Sequence, residues 1–364
     1  MHNQILKKRR VTRQIKLGSL VVGGDAPISV QTMTKTDTHD ITETVNQILD
    51  VEQLGCDIVR IAIPDEAAAR LLPGIRDQVH IPIVADVHFD HKLALMALDA
   101  GVDGLRINPG NIGDVHKVTE IVHAAAGRRV PIRIGVNSGS LEKDLVEKYG
   151  GATAEALVES AIRHVRILED IGHREIKLSV KASDVERTVA AYRMLAGMVD
   201  YPLHLGVTEA GTFLSGTVRS SAALGILLAE GIGDTIRVSL TDTPQQETRV
   251  GMALLRSLGL REAGASVISC PTCGRTQIDV VGIAQNIESE LERYFRANPK
   301  APRPLVAVMG CVVNGPGEAQ HADITVAGGK KAAALYVRGK NIRTVPESEI
   351  VNSVIQEVER FRAD

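Results

Sequence analysis

Between Pro27 and Leu258, short β-rich runs alternate with helical runs eight times, and nothing else in the chain restricts the fold as much. The strands are expected near Ile28–Thr34, Ile58–Ile63, Ile81–His88, Gly104–Pro109, Pro131–Val136, Glu175–Lys181, Pro202–Glu209 and Thr235–Leu240. Helices are expected near 41–54, 65–78, 91–100, 114–126, 153–170, 184–197, 217–230 and 244–258, with Gly55, Gly101, Gly172 and Gly231 where helices should stop. Eight similar βα units are the count of a (β/α)8 TIM barrel, and they suit closure better than an open doubly wound sheet. After Leu258 the rhythm breaks. A helix near 278–297, a strand Pro304–Met309, two further β-like runs and a helix near 347–362 predict a smaller α+β domain. The expected division is 1–260 for the barrel, which would bind substrate, and 265–364 for a C-terminal domain.

Composition supports this architecture and excludes several functions. The 364 residues include no Trp, five Tyr and four Phe, so the core is aliphatic, as in a parallel sheet covered by helices. A net charge of −2 argues against a general binder of nucleic acid or anionic membrane. No apolar run reaches the ~18 residues of a membrane span. The basic N-terminus MHNQILKKRRVTRQ lacks an apolar segment behind it, so a cytoplasmic location and a solvated arm are expected. Four Cys are too few for a disulfide scaffold and point instead to metal binding or catalysis.

Strand parity carries the first functional signal. In the expected strands, aliphatic residues on one face alternate with Arg60, Arg106, Arg133, Lys177, Lys181 and Arg237 on the other. The apolar face must meet the helices, so these cations point into the lumen. A barrel lumen is usually filled by branched aliphatics. Here it would hold many cations against few acids, chiefly Asp86, which suits a polyanionic ligand gripped by Arg. The competing reading is a set of internal ion pairs. Lys177 and Arg237 lie early in their strands and read as structural; Lys181 and Asn137 lie at the C-terminal mouth, where barrel chemistry occurs. Glu209 ends the seventh strand beside these cations and reads either as an acid/base or as an ion-pair partner or helix cap. Asp86 and His88 end the third strand and are candidates for a ligand, a base or an orienting group. The remaining histidines read as surface or helix positions.

The C-terminal domain carries the second signal. Cys270-Pro-Thr-Cys273 and Gly310-Cys311-Val-Val-Asn-Gly-Pro-Gly-Glu318 both follow strands. Three readings compete: a structural zinc with His321 as fourth ligand, a redox dithiol that leaves Cys311 idle, and an iron–sulfur cluster. In the last, Glu318 would complete the ligand set with an easily displaced oxygen. Cys56 precedes the second strand, away from the mouth, and reads as an inert thiol.

These stretches resemble a known family. ADVHFD (85–90), LRINPGNIG (105–113), IRIGVNSGSLEKDL (132–145), VKASD (180–184), PLHLGVTEAG (202–211), GIGDTIRVSL (231–240), CPTC (270–273) and GCVVNGPGEA (310–319) are similar to those of bacterial 4-hydroxy-3-methylbut-2-enyl diphosphate synthases of the methylerythritol phosphate route. The segment 320–348 matches less clearly. The resemblance implies reductive ring opening of 2-C-methyl-D-erythritol 2,4-cyclodiphosphate, with electrons from a flavodoxin or from a ferredoxin and its reductase. It implies a 4Fe-4S cluster on Cys270, Cys273, Cys311 and Glu318, and Glu209 as proton donor. Arg60, Asp86, Arg106, Arg133, Lys181 and Ser239, with Asn108, Asn137 and Asn314, would surround the substrate. A pterin-binding or aldolase-like barrel with a structural zinc domain is the alternative.

Chain direction adds an expectation about assembly. The eighth helix returns the chain to the N-terminal face, roughly 25–30 Å from the mouth. The ten or so residues Gly259–Ile268 span at most ~33–36 Å, so the cysteine loops would struggle to reach their own barrel's mouth. A homodimer, with each cluster domain serving the partner's barrel, is therefore expected. The resemblance implies the same arrangement.

Overall fold

The computed structural model describes residues 6–362 apart from 89, 109–111, 113–114, 262–265, 299, 314–316 and 318–319. The chain divides into two compact units, Met1–Arg261 and Glu262–Asp364.

The first unit opens with a hairpin, β1 (Ile15–Leu17) and β2 (Leu20–Val22), that the βα rhythm does not announce. Eight parallel strands follow: β3 (Ser29–Met33), β4 (Ile58–Ala62), β5 (Ile83–Asp86), β6 (Gly104–Ile107), β7 (Ile132–Asn137), β8 (Ile176–Lys181), β9 (His204–Leu205) and β10 (Thr235–Ile236). Their order is β8-β7-β6-β5-β4-β3-β10-β9, and a parallel bridge between Leu178 and Leu203 closes the ring. The strands pair for fewer residues than their apolar runs suggest, most of all the last two.

Helices start where a side chain satisfies the free N–H groups of the first turn. Asp40, Asp65, Asp90, Thr153, Asp184 and Thr243 each accept such a bond, a contribution of about 1 kcal/mol apiece. The four expected stop glycines all adopt left-handed backbone angles, φ 78° to 92°. The last two barrel helices are Phe213–Ala229 and Pro244–Ser257, and a short additional helix, Lys143–Tyr149, precedes the one at Ala154–Asp170. Ile132, Ile134 and Val136 of β7 and Ile176, Leu178 and Val180 of β8 are fully buried in the layer between sheet and helices. The floor of the barrel is closed by the hairpin, whose Ile15, Leu17 and Val22 pack on Ile58 and Val84.

The basic arm is bound to the barrel rather than solvated. Lys7 and Arg10 donate backbone N–H groups to Ala229 O (2.8 Å) and Gly231 O (2.9 Å). The Arg10 guanidinium binds the carbonyls of Ala196 (3.1 Å), Val199 and Tyr201 (2.6 Å) at the end of a helix, and Arg9 pairs with Asp234 at 3.0 Å. A cation that satisfies orphan carbonyls at a helix C-terminus is held by both hydrogen bonds and the helix dipole.

The second unit is a five-stranded mixed sheet, β11 (Ser266–Ser269), β12 (Leu305–Met309), β13 (Ile324–Gly329), β14 (Ala332–Val337) and β15 (Lys340–Pro346). The order is sequential, the first three are parallel and the rest antiparallel. Three strands thus follow Met309, one more than the sequence suggests. Helices Val280–Ala297 and Ile350–Arg360 cover the sheet through Ile283, Ile287, Leu291, Val354 and Val358. No helix among the described residues is long and apolar enough to cross a membrane.

Candidate anion site and cysteine loops

The lumen is as cationic as strand parity implies. A cavity of about 110 Å³ at the C-terminal mouth is lined by Arg60, Asp86, Arg106, Arg133, Asn137, Lys181 and Ser239, together with His88, Gly135, Ser179, Thr208 and Arg237. Asn108 is buried beyond β6 but does not line it. A larger groove, about 980 Å³, lies at the opposite face among Lys16, Arg76, Arg128 and Arg174 and holds none of these groups.

Two acids account for part of the positive charge. Asp86, 4% exposed, receives Arg106 at 3.1 Å and faces Arg60 at 3.5 Å and His88 at 3.5 Å. Burial opposes its ionisation, but Arg60, the His88 hydrogen bond and Arg106 together hold it well below the usual carboxylate range. Arg106 also donates to His88 Nε2 at 2.8 Å. The second acid was not legible in the sequence. Glu247 reaches in from the helix Pro244–Ser257, accepts from Thr32 Oγ1 (2.7 Å) and Leu240 N (3.0 Å), and pairs with Arg237 (3.3 Å) and Lys35 (3.0 Å). It sits on a helix, where strand parity carries no information. Arg237 is therefore neutralised from within, while Met33 Sδ accepts from Arg60 Nη2 at 2.8 Å.

Arg133 and Lys181 pair with no acid among the described residues, although they are only 4% and 5% exposed. Burial, then Arg133, Arg237, Arg60 and Arg106, push the Lys181 amine well below its ordinary range. Burial, Arg60 and Arg106 act on Arg133 in the same sense. Its guanidinium nevertheless stays charged at any working pH. Two glycines create the room: a Cβ on Gly135 would stand 2.9 Å from Arg106 Nε, and one on Gly206 2.6 Å from Lys181 Nζ. A small, deep, charged cavity with donors on every side suits phosphate oxygens.

Lys177 is buried outside the cavity lining and forms no ion pair among the described residues. His204, read from sequence as peripheral, is fully buried on β9 and bonds Thr235 Oγ1 at 2.7 Å. Glu209 is exposed beside Thr208 and holds a left-handed φ of 53°, a strained conformation for a residue with a side chain.

In the second unit, β11 and β12 pair in parallel, with Ser269 opposite Val308, so their C-terminal loops emerge side by side. Cys270 Sγ accepts from Gly310 N at 3.2 Å, and Gln277 N bonds Gly310 O at 2.9 Å. Cys270 and Cys311 thus lie on loops stitched together, with Cys273 exposed nearby in sequence. All three are free thiols. Among the described residues, no three potential ligands are gathered to metal-binding distance. Glu318 and Asn314 lie outside the described residues. Paired loops carrying free thiols, with a backbone N–H already on one sulfur, fit a sulfur-ligated metal centre. Cys56 differs: it is buried, and burial pushes its thiol up to about 12.

The GcpE TIM-barrel domain model matches residues 12–252 and the GcpE protein C-terminal domain model residues 266–360. The 4-hydroxy-3-methylbut-2-en-1-yl diphosphate synthase (flavodoxin) of Geobacter sulfurreducens is 57% identical over 97% of this chain and 98% of its own length. The proteins of that name from Thermodesulfovibrio yellowstonii and Caldanaerobacter subterraneus are 53% and 51% identical, over 97% and 98% of this chain and 99% of their own lengths. With both of its units matched along nearly their whole length, the chain belongs to the GcpE family.

Proposed function

We propose that the chain is a flavodoxin-dependent 4-hydroxy-3-methylbut-2-enyl diphosphate synthase, an oxidoreductase of isoprenoid biosynthesis acting in the cytoplasm. It converts 2-C-methyl-D-erythritol 2,4-cyclodiphosphate to (E)-4-hydroxy-3-methylbut-2-enyl diphosphate. The observation that carries this reading is the cation-lined barrel mouth, where Arg133 and Lys181 are buried and form an ion pair with no acid among the described residues. A cyclic diphosphate supplies the missing anion. Its relatives' names supply the product and the donor. Nothing favours the pterin-binding or aldolase-like alternative with a structural zinc.

Arg106, Arg133 and Lys181 would hold the diphosphate, with Arg60, Asn108, Asn137 and Ser239 around it. Asp86 orients Arg60 and Arg106 and keeps their charge from dispersing the site. Glu209, at the exposed lip, would deliver a proton near the reacting carbons, and Asn314 would touch substrate. Cys270, Cys273 and Cys311, with Glu318, would hold a 4Fe-4S cluster. When bound, that cluster supplies two electrons one at a time.

Each cluster domain would serve the barrel of a second copy. Exposed aliphatic side chains flank the cysteine loops, Val281, Val312 and Val313, and the barrel mouth presents exposed Phe213, Leu214 and Val218. Apolar surface on both pieces is what a head-to-tail dimer buries.

The test is anaerobic purification with iron and acid-labile sulfide analysis, then turnover of the cyclodiphosphate with dithionite and a viologen. A colourless protein with one zinc per chain and no sulfide would refute the reading. For the shared site, inactive Glu209→Gln and Cys311→Ser chains are mixed under subunit exchange. Heterodimers should recover about a quarter to half of wild-type activity, since one site in each has both intact parts. Dead heterodimers would refute the shared site.

A further inference from the structure

The anion site does not use Lys177. This residue lies on β8, four positions before Lys181, 2% exposed, with no hydrogen-bond partner for Nζ among the described residues. Strand register places it beside Arg133. Its neighbours are under-satisfied too: Nε2 of His204 and Nε of Arg133 also lack hydrogen-bond partners among the described residues.

The charged and titratable groups facing Lys177 come from every neighbouring element: Arg133 on β7, Lys181 on its own strand, His204 on β9 and Asp234 before β10. Asp234 is engaged elsewhere, by Arg9 and Thr12 at 3.0 Å each and by Leu203 N at 2.8 Å. It acts on Lys177 only through space. Burial first, then Arg133, lower the Lys177 amine to about 7 against that weak pull. Burial and the cations Lys181, Arg133, Lys177 and Arg60 hold the His204 pKa far below its usual value, so this ring is neutral and takes no part near pH 7.

We propose that Lys177 is a charge-regulating positioning residue: it stays out of contact with the bound anion, and filling the anion site draws a proton from solvent onto its amine. The proposal rests on the anion-site reading above. In the empty lumen an ammonium at Lys177 is repelled by Arg133. A diphosphate above cancels that repulsion and replaces it with attraction, so R–NH2 + H+ moves to R–NH3+. Linkage then requires the reverse effect: a lumen protonated at Lys177 binds the anion more tightly. Affinity therefore rises as pH falls through the Lys177 titration.

The cyclodiphosphate is a clean probe. Each phosphorus carries one strongly acidic hydroxyl, so the ligand does not titrate near neutrality and any proton taken up lands on the protein. Oxidised holoenzyme, without donor, is titrated calorimetrically with the cyclodiphosphate at pH 8 in buffers of different ionisation enthalpy. Lys177→Met removes the amine at similar volume, and Lys177→Arg fixes the charge. If binding raises the Lys177 pKa by about two, the wild type takes up roughly half to one proton more than either variant. Wild-type affinity then falls about tenfold more steeply between pH 6.5 and 8.5 than that of Lys177→Met. Lys177→Gln replaces the Met variant in the comparison if that protein fails to fold. Equal proton uptake in wild type and variants, with binding intact, overturns the role of Lys177. Absence of binding by the wild type overturns the anion-site reading itself, and the proposal with it.

Discussion

Replacing Glu247 by Gln tests whether the lumen charge is held in place from the helix layer. The carboxylate is 1% exposed, with Arg237 at 3.3 Å and Lys35 at 3.0 Å. Gln keeps the volume; its Oε1 can still accept from Leu240 N, which bonds the carboxylate at 3.0 Å, and its Nε2 can donate to Thr32 Oγ1, which lies 2.7 Å from the other oxygen. What it removes is the charge opposite a buried guanidinium. Breaking a buried pair from one side costs about 3–5 kcal/mol, and the retained hydrogen bonds argue for the lower end. For a unit of this size each kcal/mol is worth about 2–4 °C, so the barrel transition should fall by roughly 6–12 °C at pH 7.5. Differential scanning calorimetry of the holoenzyme reads this. The pH dependence has a definite sign. Burial opposes ionisation of Glu247, but Arg237, Leu240 N–H, Thr32 and Lys35 lower its pKa in the folded state. Its contribution is complete above the unfolded value of about 4.3 and is lost as pH falls through the lower folded value. The wild-type and Glu247→Gln transitions should therefore converge as pH drops from 5 toward 3. A transition within 2 °C of wild type at pH 7.5, or a gap that does not narrow in acid, would refute the assignment.

Other expectations concern the two candidate sites. Cys270→Ser, Cys273→Ser and Cys311→Ser should each lose most visible absorbance and all turnover, while Cys56→Ser keeps both; at pH 8 iodoacetamide should leave the buried Cys56 unmodified in folded protein. Glu318→Ala should retain some cluster colour but lose turnover, and a fully active variant would reject the ligand role. Glu209→Gln should slow turnover at least ~100-fold with substrate binding intact; unchanged turnover would leave Glu209 a strained surface residue. Arg133→Leu and Lys181→Leu should weaken cyclodiphosphate binding by ~1.5–3 kcal/mol while the melting temperature holds or rises, since each removes an unpaired buried cation; loss of stability with unchanged affinity would mark them as structural.

Much of this was legible because a parallel barrel writes itself in two periods. Alternation of Ile132, Ile134 and Val136 with Arg133 and Gly135 gives both the sheet and the side on which the charge lies. The same rule is silent on whatever enters the lumen from outside the strands. Glu247 sits in a polar helix start, Pro-Gln-Gln-Glu, and only the closed ring places it against Arg237. His204 escaped because its strand pairs over two residues, too few for a pattern. Arg9 and Arg10 read as a solvated basic run, since Asp234 lies 225 residues beyond Arg9 and the carbonyls that Arg10 satisfies lie 186 to 191 residues beyond it. The cysteine spacing gave the sulfur chemistry, while the adjacency of Cys270 and Cys311 comes from the β11–β12 pairing, which joins segments some forty residues apart.

The N-terminal strap has a consequence for how the protein is made. Residues 7–13 are made well before the distant partners that hold them, Ala196, Asp200, Ala229, Gly231 and Asp234. At about 5–20 residues per second, roughly 10–45 s of synthesis separate the two. During that interval the arm is a free cationic tail and the Arg10-capped helix end does not exist. The strap therefore acts as a latch whose contacts are complete only once the chain through Asp234 has been made. A chain released before Ala196 carries six of the eight barrel strands but lacks every distant partner of the arm, and a nascent-chain protease should cut the arm at that stage and spare it once the chain through Asp234 has been made.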